Sequence, residues 1–330
     1  MSARPRAVLA FDPPSLVQRV FTPHACARIS AVTEVDWLHV VTDLDSDVDR
    51  RRLQDAEVLL AGWGSPRIPS ALVPRLRAVM YAGGVARTCL ADPAAFHTRG
   101  VLASNARASN AIPVAEYTLA MILLANKRAH ASERLYRERR AAPGREEEPP
   151  VAGNYRRTVG IVGLSQVGRR VIELLQPFDL DVVVYAPELT GAAAIPGARS
   201  ATLEEVAATC DVLSLHQPLN PDTIRQIDAR ILGMLPDGAT VINTARGGVV
   251  DEEALVAELR TGRIHAVLDV TDPEPPHRAS ELWTLPNVVL TPHIAGSMGT
   301  ELHRIGDSVA SEVERFSHGT AFAHPEDLAA

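Results

Sequence analysis

Thr158-Val-Gly-Ile-Val-Gly-Leu-Ser-Gln-Val-Gly-Arg-Arg170 is the stretch that decides the fold of this chain. Val159, Ile161 and Val162 are β-branched and apolar, as a strand covered on both faces requires. Gly163 opens a tight turn. Gly168, five residues on, stands where a helix must pack closely against that strand. Residues 171–175, Val-Ile-Glu-Leu-Leu, then supply an apolar helical face. Strand, glycine turn and helix in this order make a dinucleotide site, where free N–H groups and the helix macrodipole hold a pyrophosphate. The middle position of the Gly-x-Gly-x-x-Gly pattern is Ser165, whose hydroxyl either bonds a phosphate oxygen or crowds it. Gly163, Ser165 and Gly168 are the first candidate cofactor contacts.

Outward from this stretch, the α/β alternation runs in both directions. Towards the N-terminus, strands are expected at 7–11, 57–61, 78–82 and 101–104. A short helix is expected at 15–20, capped by Ser15. A long helix is expected at 112–128, with Pro113 in its first turn. Residues 141–150 form a polar, proline-bearing connection. Towards the C-terminus, strands are expected at 181–186, 211–216, 239–244, 265–270 and 287–291. Helices should fall between them, one at 252–260 stopping at Gly262. A last helix at 300–316 sets Ile305, Val309, Val313 and Phe316 on one face. Strands alternating with helices predict parallel sheets, the second doubly wound, with ligands at the carboxyl ends of the strands.

Composition narrows the class. The chain has 330 residues, 46% of them hydrophobic, enough for about two domains. A net charge of −7 with no basic stripe gives nucleic-acid binding no electrostatic support. The arginines of 134–140 are mixed with Glu133 and Glu138, as on a solvated helix face. No unbroken apolar run approaches the roughly 18 residues that span a bilayer, and the N-terminal run at 7–11 reads as a strand, not a leader. Cys26, Cys89 and Cys210 are odd in number and widely spaced, so free thiols in the cytoplasm are expected, with no disulfide frame and no metal site.

Three polar residues follow strand ends in the second half: Arg246 in Asn243-Thr-Ala-Arg-Gly-Gly248, Glu274 in Asp272-Pro-Glu-Pro275, and His293 in Thr291-Pro-His-Ile-Ala-Gly296. Reducing a 2-oxo acid by hydride transfer needs a cation to hold the carboxylate and polarise the ketone. It also needs an acid to protonate the new alkoxide, and a carboxylate to keep that acid charged. Arg, His and Glu suit these tasks. The Gly83-Gly84 loop at a strand end is either a substrate contact through its N–H groups or a plain turn. Beside it, Arg87 is either a second cation for a substrate with an extra anionic group or a surface arginine. At the tip of the second strand Ala186 stands where a ribose-binding acid is expected. Glu188 either substitutes for it or is a solvated loop charge. No arginine follows to receive a 2′-phosphate, which favours NAD and leaves NADP open.

These residues carry a resemblance to the D-isomer-specific 2-hydroxyacid dehydrogenase family. It rests on Val114-Ala-Glu-Tyr-Thr-Leu119, the glycine turn, Asp211-Val-Leu-Ser-Leu-His216 with Pro218, Asn243-Thr-Ala-Arg-Gly-Gly-Val-Val-Asp251, Leu268-Asp-Val270 with Pro273-Glu-Pro275, and Thr291-Pro-His-Ile-Ala-Gly296. It is strong over 111–297 and weaker before. The resemblance implies a two-lobed α/β fold, with a Rossmann-type domain at 109–296 inserted into a flavodoxin-like substrate domain made of 1–108 and 297–330. It implies a homodimer built on the long helix, and a cleft between the lobes. It assigns Arg246 to the 2-oxo acid, His293 to acid/base catalysis and Glu274 to pairing with His293. It adds cofactor contacts from Gln166, Val167, Gln217, Thr244, Ala245 and Asp269, and substrate contacts from Gly83, Gly84 and Val85. The implied activity is NAD-dependent interconversion of small 2-oxo and D-2-hydroxy acids, mainly in the reductive direction. Two other activities occur on this scaffold. Phosphite-oxidising relatives carry a lysine in the substrate loop, and residues 80–87 contain none. Nicotinamide-sensing corepressors keep the catalytic trio, but no basic or low-complexity tail is evident here.

Overall fold

A computed structural model describes residues 4–142, 144, 152–187 and 195–329. They form two compact units, one of Met1–Asn110 with Ser297–Ala330, the other of Ala111–Gly296. The chain thus leaves the first unit once and returns to it once.

The first unit holds β1 (Arg6–Ala10), α1 (Leu16–Val20), α2 (Pro23–Val32), β2 (Glu34–Val41), α3 (Asp47–Asp55), β3 (Val58–Ala61), β4 (Ala78–Tyr81), α4 (Pro93–Thr98) and β5 (Leu102–Asn105). Its sheet is parallel with order β2-β1-β3-β4-β5, the flavodoxin-like order. Because side chains alternate along a strand, Leu9, Leu60 and Met80 enter one core layer, while Val8, Leu59 and Val79 enter the other. Ser15 precedes α1 without a side-chain cap bond, so the expected capping role does not hold. The edge strand β2 escaped the sequence reading. Its run Glu34-Val-Asp-Trp37 alternates polar and apolar residues as a half-covered edge strand does, and the exposed Leu38 breaks the pattern.

The second unit follows α5 (Arg107–Asn126), whose first four residues belong to the first unit. The helix starts five residues earlier than expected, where Asn105 Oδ1 accepts the Arg107 N–H. Pro113 therefore lies inside the helix rather than in its first turn. Over 18 of its residues the mean hydropathy is 1.3, so by length and composition α5 is apolar enough to cross a membrane. Core helices of water-soluble domains meet the same criterion, and Ala115, Ile122 and Ala125 pack into this unit's own core. The unit continues with α6 (Ala129–Arg139), which has no buried residue and carries Arg134–Glu138 and Arg137–Glu133 pairs. Then come β6 (Arg157–Val162), α7 (Gln166–Leu175), β7 (Leu180–Tyr185), β8 (Arg199–Ser200), α8 (Leu203–Thr209), β9 (Val212–Leu215), α9 (Ala229–Met234), β10 (Thr240–Asn243), α10 (Glu252–Arg260), β11 (His265–Leu268) and β12 (Val288–Leu290). Helix α10 has the expected bounds and is capped by Asp251, whose Oδ1 accepts the Ala254 N–H at 3.1 Å.

This second sheet is parallel throughout, in the order β12-β11-β10-β9-β6-β7-β8. The chain builds outward from β6 on one side and then on the other, so the order reverses between β6 and β9. That crevice is where a doubly wound sheet takes its ligand. Helices cover both faces: α5 and α7 meet Val159, Ile161 and Val184, while α8, α9 and α10 meet Leu213, Val241 and Leu268.

The chain ends with α11 (Leu302–Ser317), back in the first unit. Ile305, Val309 and Val313 are buried there against α1, α2 and the sheet. The Arg28 guanidinium grips Glu314 through two bonds of 2.9 and 2.7 Å, joining α2 to α11. The tail then runs antiparallel past β5, with Ser104 opposite Pro325. Cys26, Cys89 and Cys210 are free thiols, and burial pushes Cys89 and Cys210 up to about 12.

Candidate active site

The glycine turn lies at the reversal of strand order. Gly163 has φ +93°, and a Cβ there would stand 2.6 Å from the Gln217 nitrogen. A Cβ on Gly168 would stand 2.3 Å from the Gly163 carbonyl oxygen. Neither position admits a side chain, which is why the turn can hold β6, β9 and α7 so close together. Ser165 has φ −58° and ψ 173°, ordinary values for an L residue. Its Oγ turns back to accept the Gly168 N–H at 3.3 Å, so it is the N-cap of α7. Gln166 and Val167, first and second in the helix, have N–H groups with no intrahelical acceptor.

On the other side of the crevice, His216 and Gln217 follow β9 and are 3% and 5% exposed. His216 Nε2 pairs with Ser214 Oγ at 2.9 Å. His216 Nδ1 and Gln217 Oε1 are buried without a hydrogen-bond partner among the described residues. A glycine cradle, free N–H groups at a helix start and a partnerless buried amide oxygen together fit a dinucleotide. Ala186 is buried at the end of β7, and Glu188 lies outside the described residues.

Burial pushes the His216 imidazole down to about 3, so it is neutral when folded. A histidine with a depressed folded value takes up its proton only on unfolding, so stability is lost as pH falls below the unfolded value of about 6.5. Between pH 7 and pH 5 this one group should cost about 2 kcal/mol. Denaturant titrations at both pH values should show that loss, and His216→Gln should reduce it by a similar amount.

The adjacent strands β10, β11 and β12 each deliver one member of the predicted trio to the same carboxyl edge. After β10, Thr244 is buried. Its hydroxyl donates to Thr118 Oγ1 at 3.0 Å, because the Thr118 proton is committed to the Val114 carbonyl. The Ala245 N–H donates to Asn243 Oδ1. Arg246 is exposed, with extended backbone and Nη1 on the Ala245 carbonyl at 2.6 Å.

After β11, Asp269 is 2% exposed and fully engaged in shaping the next loop. Its Oδ1 accepts from Thr291 Oγ1 at 2.6 Å and from the Ile294 N–H at 2.8 Å. Its Oδ2 accepts from the Ala295 N–H at 2.9 Å. Tyr117 extends this chain by donating to Thr291 Oγ1 at 3.0 Å. Burial raises the Tyr117 phenol, which keeps it a donor. The sequence reading gave Tyr117 no role, and its place in the segment 114–119 was the signal available.

The loop anchored by Asp269 carries His293, which has φ +53°. A left-handed backbone at a non-glycine residue costs on the order of 1 kcal/mol. The His293 N–H on the Asp269 carbonyl at 3.0 Å helps to hold it. The strained backbone aims the ring at Glu274, with Nδ1 to Oε1 at 2.7 Å. Both side chains are about half exposed, at 49% and 45%. Nδ1 is thus occupied and Nε2 is the nitrogen left for other chemistry.

Gly83, Gly84, Val85 and Arg87 belong to the first unit. The loop is tied at Gly83, whose carbonyl accepts the Ala106 N–H. The following 3-10 turn, Ala86–Cys89, is anchored from the tail. Glu326 accepts from the Ala86 and Arg87 N–H groups at 2.8 and 3.1 Å, and from Asn105 Nδ2 at 2.7 Å. The Arg87 guanidinium donates to the Asp327 carbonyl at 3.2 Å. Nothing in the local sequence announced Glu326, whose contacts lie more than 200 residues away. A groove of about 640 Å³ also exists in this unit, lined by Arg4, Arg6, Glu34, Asp36, Arg52 and Asp55. It touches the amino-terminal ends of β1 and β2, far along the sheet from these loops, and its charges largely pair with one another.

A doubly wound parallel sheet with a phosphate turn at its reversal point is the arrangement of a dinucleotide-binding domain, and an arginine and a His–Glu pair lie along the same edge. Comparison with known proteins specifies it. The profile of the D-isomer specific 2-hydroxyacid dehydrogenase NAD-binding domain matches residues 119–295. A D-3-phosphoglycerate dehydrogenase of Mycobacterium bovis is 32% identical over 305 residues, covering 91% of this chain and 56% of the relative. This chain therefore spans only about half the length of that relative. Among solved structures, D-mandelate dehydrogenase of Rhodotorula graminis in its apo form superposes with a TM-score of 0.79 at 25% identity, over 98% of this chain and 97% of the other. D-lactate dehydrogenase of Aquifex aeolicus, complexed with NAD and lactic acid, gives 0.72 at 25% identity, over 94% and 96%. The chain belongs to the D-isomer specific 2-hydroxyacid dehydrogenase family and carries its NAD-binding domain.

Proposed function

We propose that this protein is an enzyme that reduces a small 2-oxo acid to the D-2-hydroxy acid at the expense of NADH. The observation that carries this reading is the His293–Glu274 pair on the ligand edge of a nucleotide-binding sheet, one strand from Arg246. Bound nicotinamide supplies the hydride. Gly163, Gly168 and the N–H groups of Gln166 and Val167 receive the pyrophosphate. Ser165, whose oxygen already accepts, still has its proton to donate to a phosphate oxygen. Gln217, Thr244, Ala245 and Asp269 line the rest of the cofactor's course, and Glu188 is the candidate for the ribose hydroxyls.

Arg246 binds the substrate carboxylate and polarises the ketone. Gly83, Gly84 and Val85, with Arg87 beside them, are the first unit's candidate substrate contacts. Glu274 accepts the Nδ1 proton of His293, which fixes the orientation of the ring. The imidazolium then gives its Nε2 proton to the alkoxide oxygen as hydride reaches C2. In the oxidative direction neutral His293 takes that proton back.

NAD rather than NADP is supported by the absence of an arginine after Ala186 and by the acidic residue at 188. A homodimer is supported by α5, which leaves Ile112, Leu119, Met121 and Leu123 only partly covered and Leu124 exposed. The free thiols agree with a cytoplasmic location. The test is consumption of NADH, and separately NADPH, with a panel of 2-oxo acids. Oxidation of NADH by at least one of them is expected. Tight binding of NADH without turnover of any would favour a nicotinamide sensor.

A further inference from the structure

Arg107 is the first residue of α5 and stands on the glycine loop. Its Nε donates to the Gly84 carbonyl at 3.1 Å, which fixes the plane of the guanidinium against the loop. No hydrogen bond or ion pair to either terminal nitrogen occurs among the described residues, although Arg87 on the same loop is tied to the tail. The loop itself is open. A Cβ on Gly84 would meet nothing within 4 Å, and the N–H groups of Gly84 and Val85 have no intramolecular acceptor among the described residues. Glu326, which anchors the following turn, is already held by three donors. Two free backbone donors on a half-buried loop thus lie beside a braced, exposed guanidinium with two unused nitrogens. That set matches an oxyanion, which a planar guanidinium binds through paired bonds.

We propose that Arg107 selects 2-oxo acids bearing a second anionic group, a carboxylate or a phosphate, at the far end of the molecule. This rests on the reading that the glycine loop contacts the substrate. Arg107, rather than Arg87, is the specificity residue of the loop.

The test is binding of oxo acids to the protein saturated with NAD⁺, where no reduction can occur, by titration calorimetry. 2-Oxopentanoate is compared with 2-oxoglutarate, which has the same chain length and a terminal carboxylate, and with 3-phosphohydroxypyruvate. Wild type should prefer at least one dianion to 2-oxopentanoate by about 10-fold or more. Arg107→Met should abolish that preference, and Arg107→Lys should keep part of it. Which dianion wins distinguishes carboxylate from phosphate. Equal affinities in wild type, no binding of any acid, or a preference unchanged in Arg107→Met would each overturn the proposal. An Arg107-dependent preference without NADH oxidation would leave the proposal standing and overturn the assigned reaction.

Discussion

His293→Ala should lower kcat for 2-oxo acid reduction by about 10³-fold, or about 4 kcal/mol of transition-state stabilisation, while NADH binds within a factor of about 3 of wild type. The magnitude follows from the role. Proton donation by a positioned group is worth about 10²–10⁴-fold, and this ring is fixed at both ends. Its Nδ1 is held by Glu274 at 2.7 Å, and its backbone is held at φ +53° by the Asp269 network. Glu274→Gln keeps the hydrogen bond to the ring but removes the charge, so an intermediate loss of about 10- to 100-fold is expected. Steady-state kinetics, with NADH fluorescence titration alongside, checks both variants. A kcat in His293→Ala within a factor of about 3 of wild type would remove His293 from the acid role.

Arg246→Gln is the second large expected effect. Glutamine can still donate one hydrogen bond but has no charge and no paired donors, so kcat/KM for the oxo acid should fall by about 10²–10³-fold. The loss should divide between KM, as the carboxylate loses its cation, and kcat, as the ketone oxygen loses polarisation. Arg246 is exposed and its Nη1 rests on a neighbouring carbonyl, so the substitution leaves no buried charge unpaired and the fold should be unaffected. Initial-rate kinetics and a thermal melt suffice. A change in NADH affinity of the same size as the change in kcat/KM would contradict a role toward the substrate.

The second unit was largely readable because its signals are local. A β-branched run before Gly163 means a covered strand, and a glycine where φ is +93° means a turn no other residue can make. Arg246, Glu274 and His293 were recognisable because each follows a strand that the sheet sets beside the next. Information that joins distant parts was harder to read. Asn105 starts α5 through a side-chain bond that propensity does not reveal, so Pro113 was misplaced. Glu326 anchors a turn 240 residues earlier. The edge strand β2 has the mixed pattern of a strand with one neighbour. Arg87 follows the glycine pair directly, whereas Arg107 lies far from it in sequence and gave no signal there. Only the hydrogen bonds show that Arg87 is tied to the tail and that Arg107 stands on the loop.

The most direct measurement of the central claim is the reaction itself. Purified protein is mixed with NADH and each 2-oxo acid of the panel, nicotinamide absorbance is followed, and the configuration of the hydroxy acid formed is determined by chiral chromatography. The account predicts stoichiometric loss of NADH and a D-2-hydroxy acid as the sole product. An L product, or NADH that binds tightly and is oxidised by none of the acids, would contradict it.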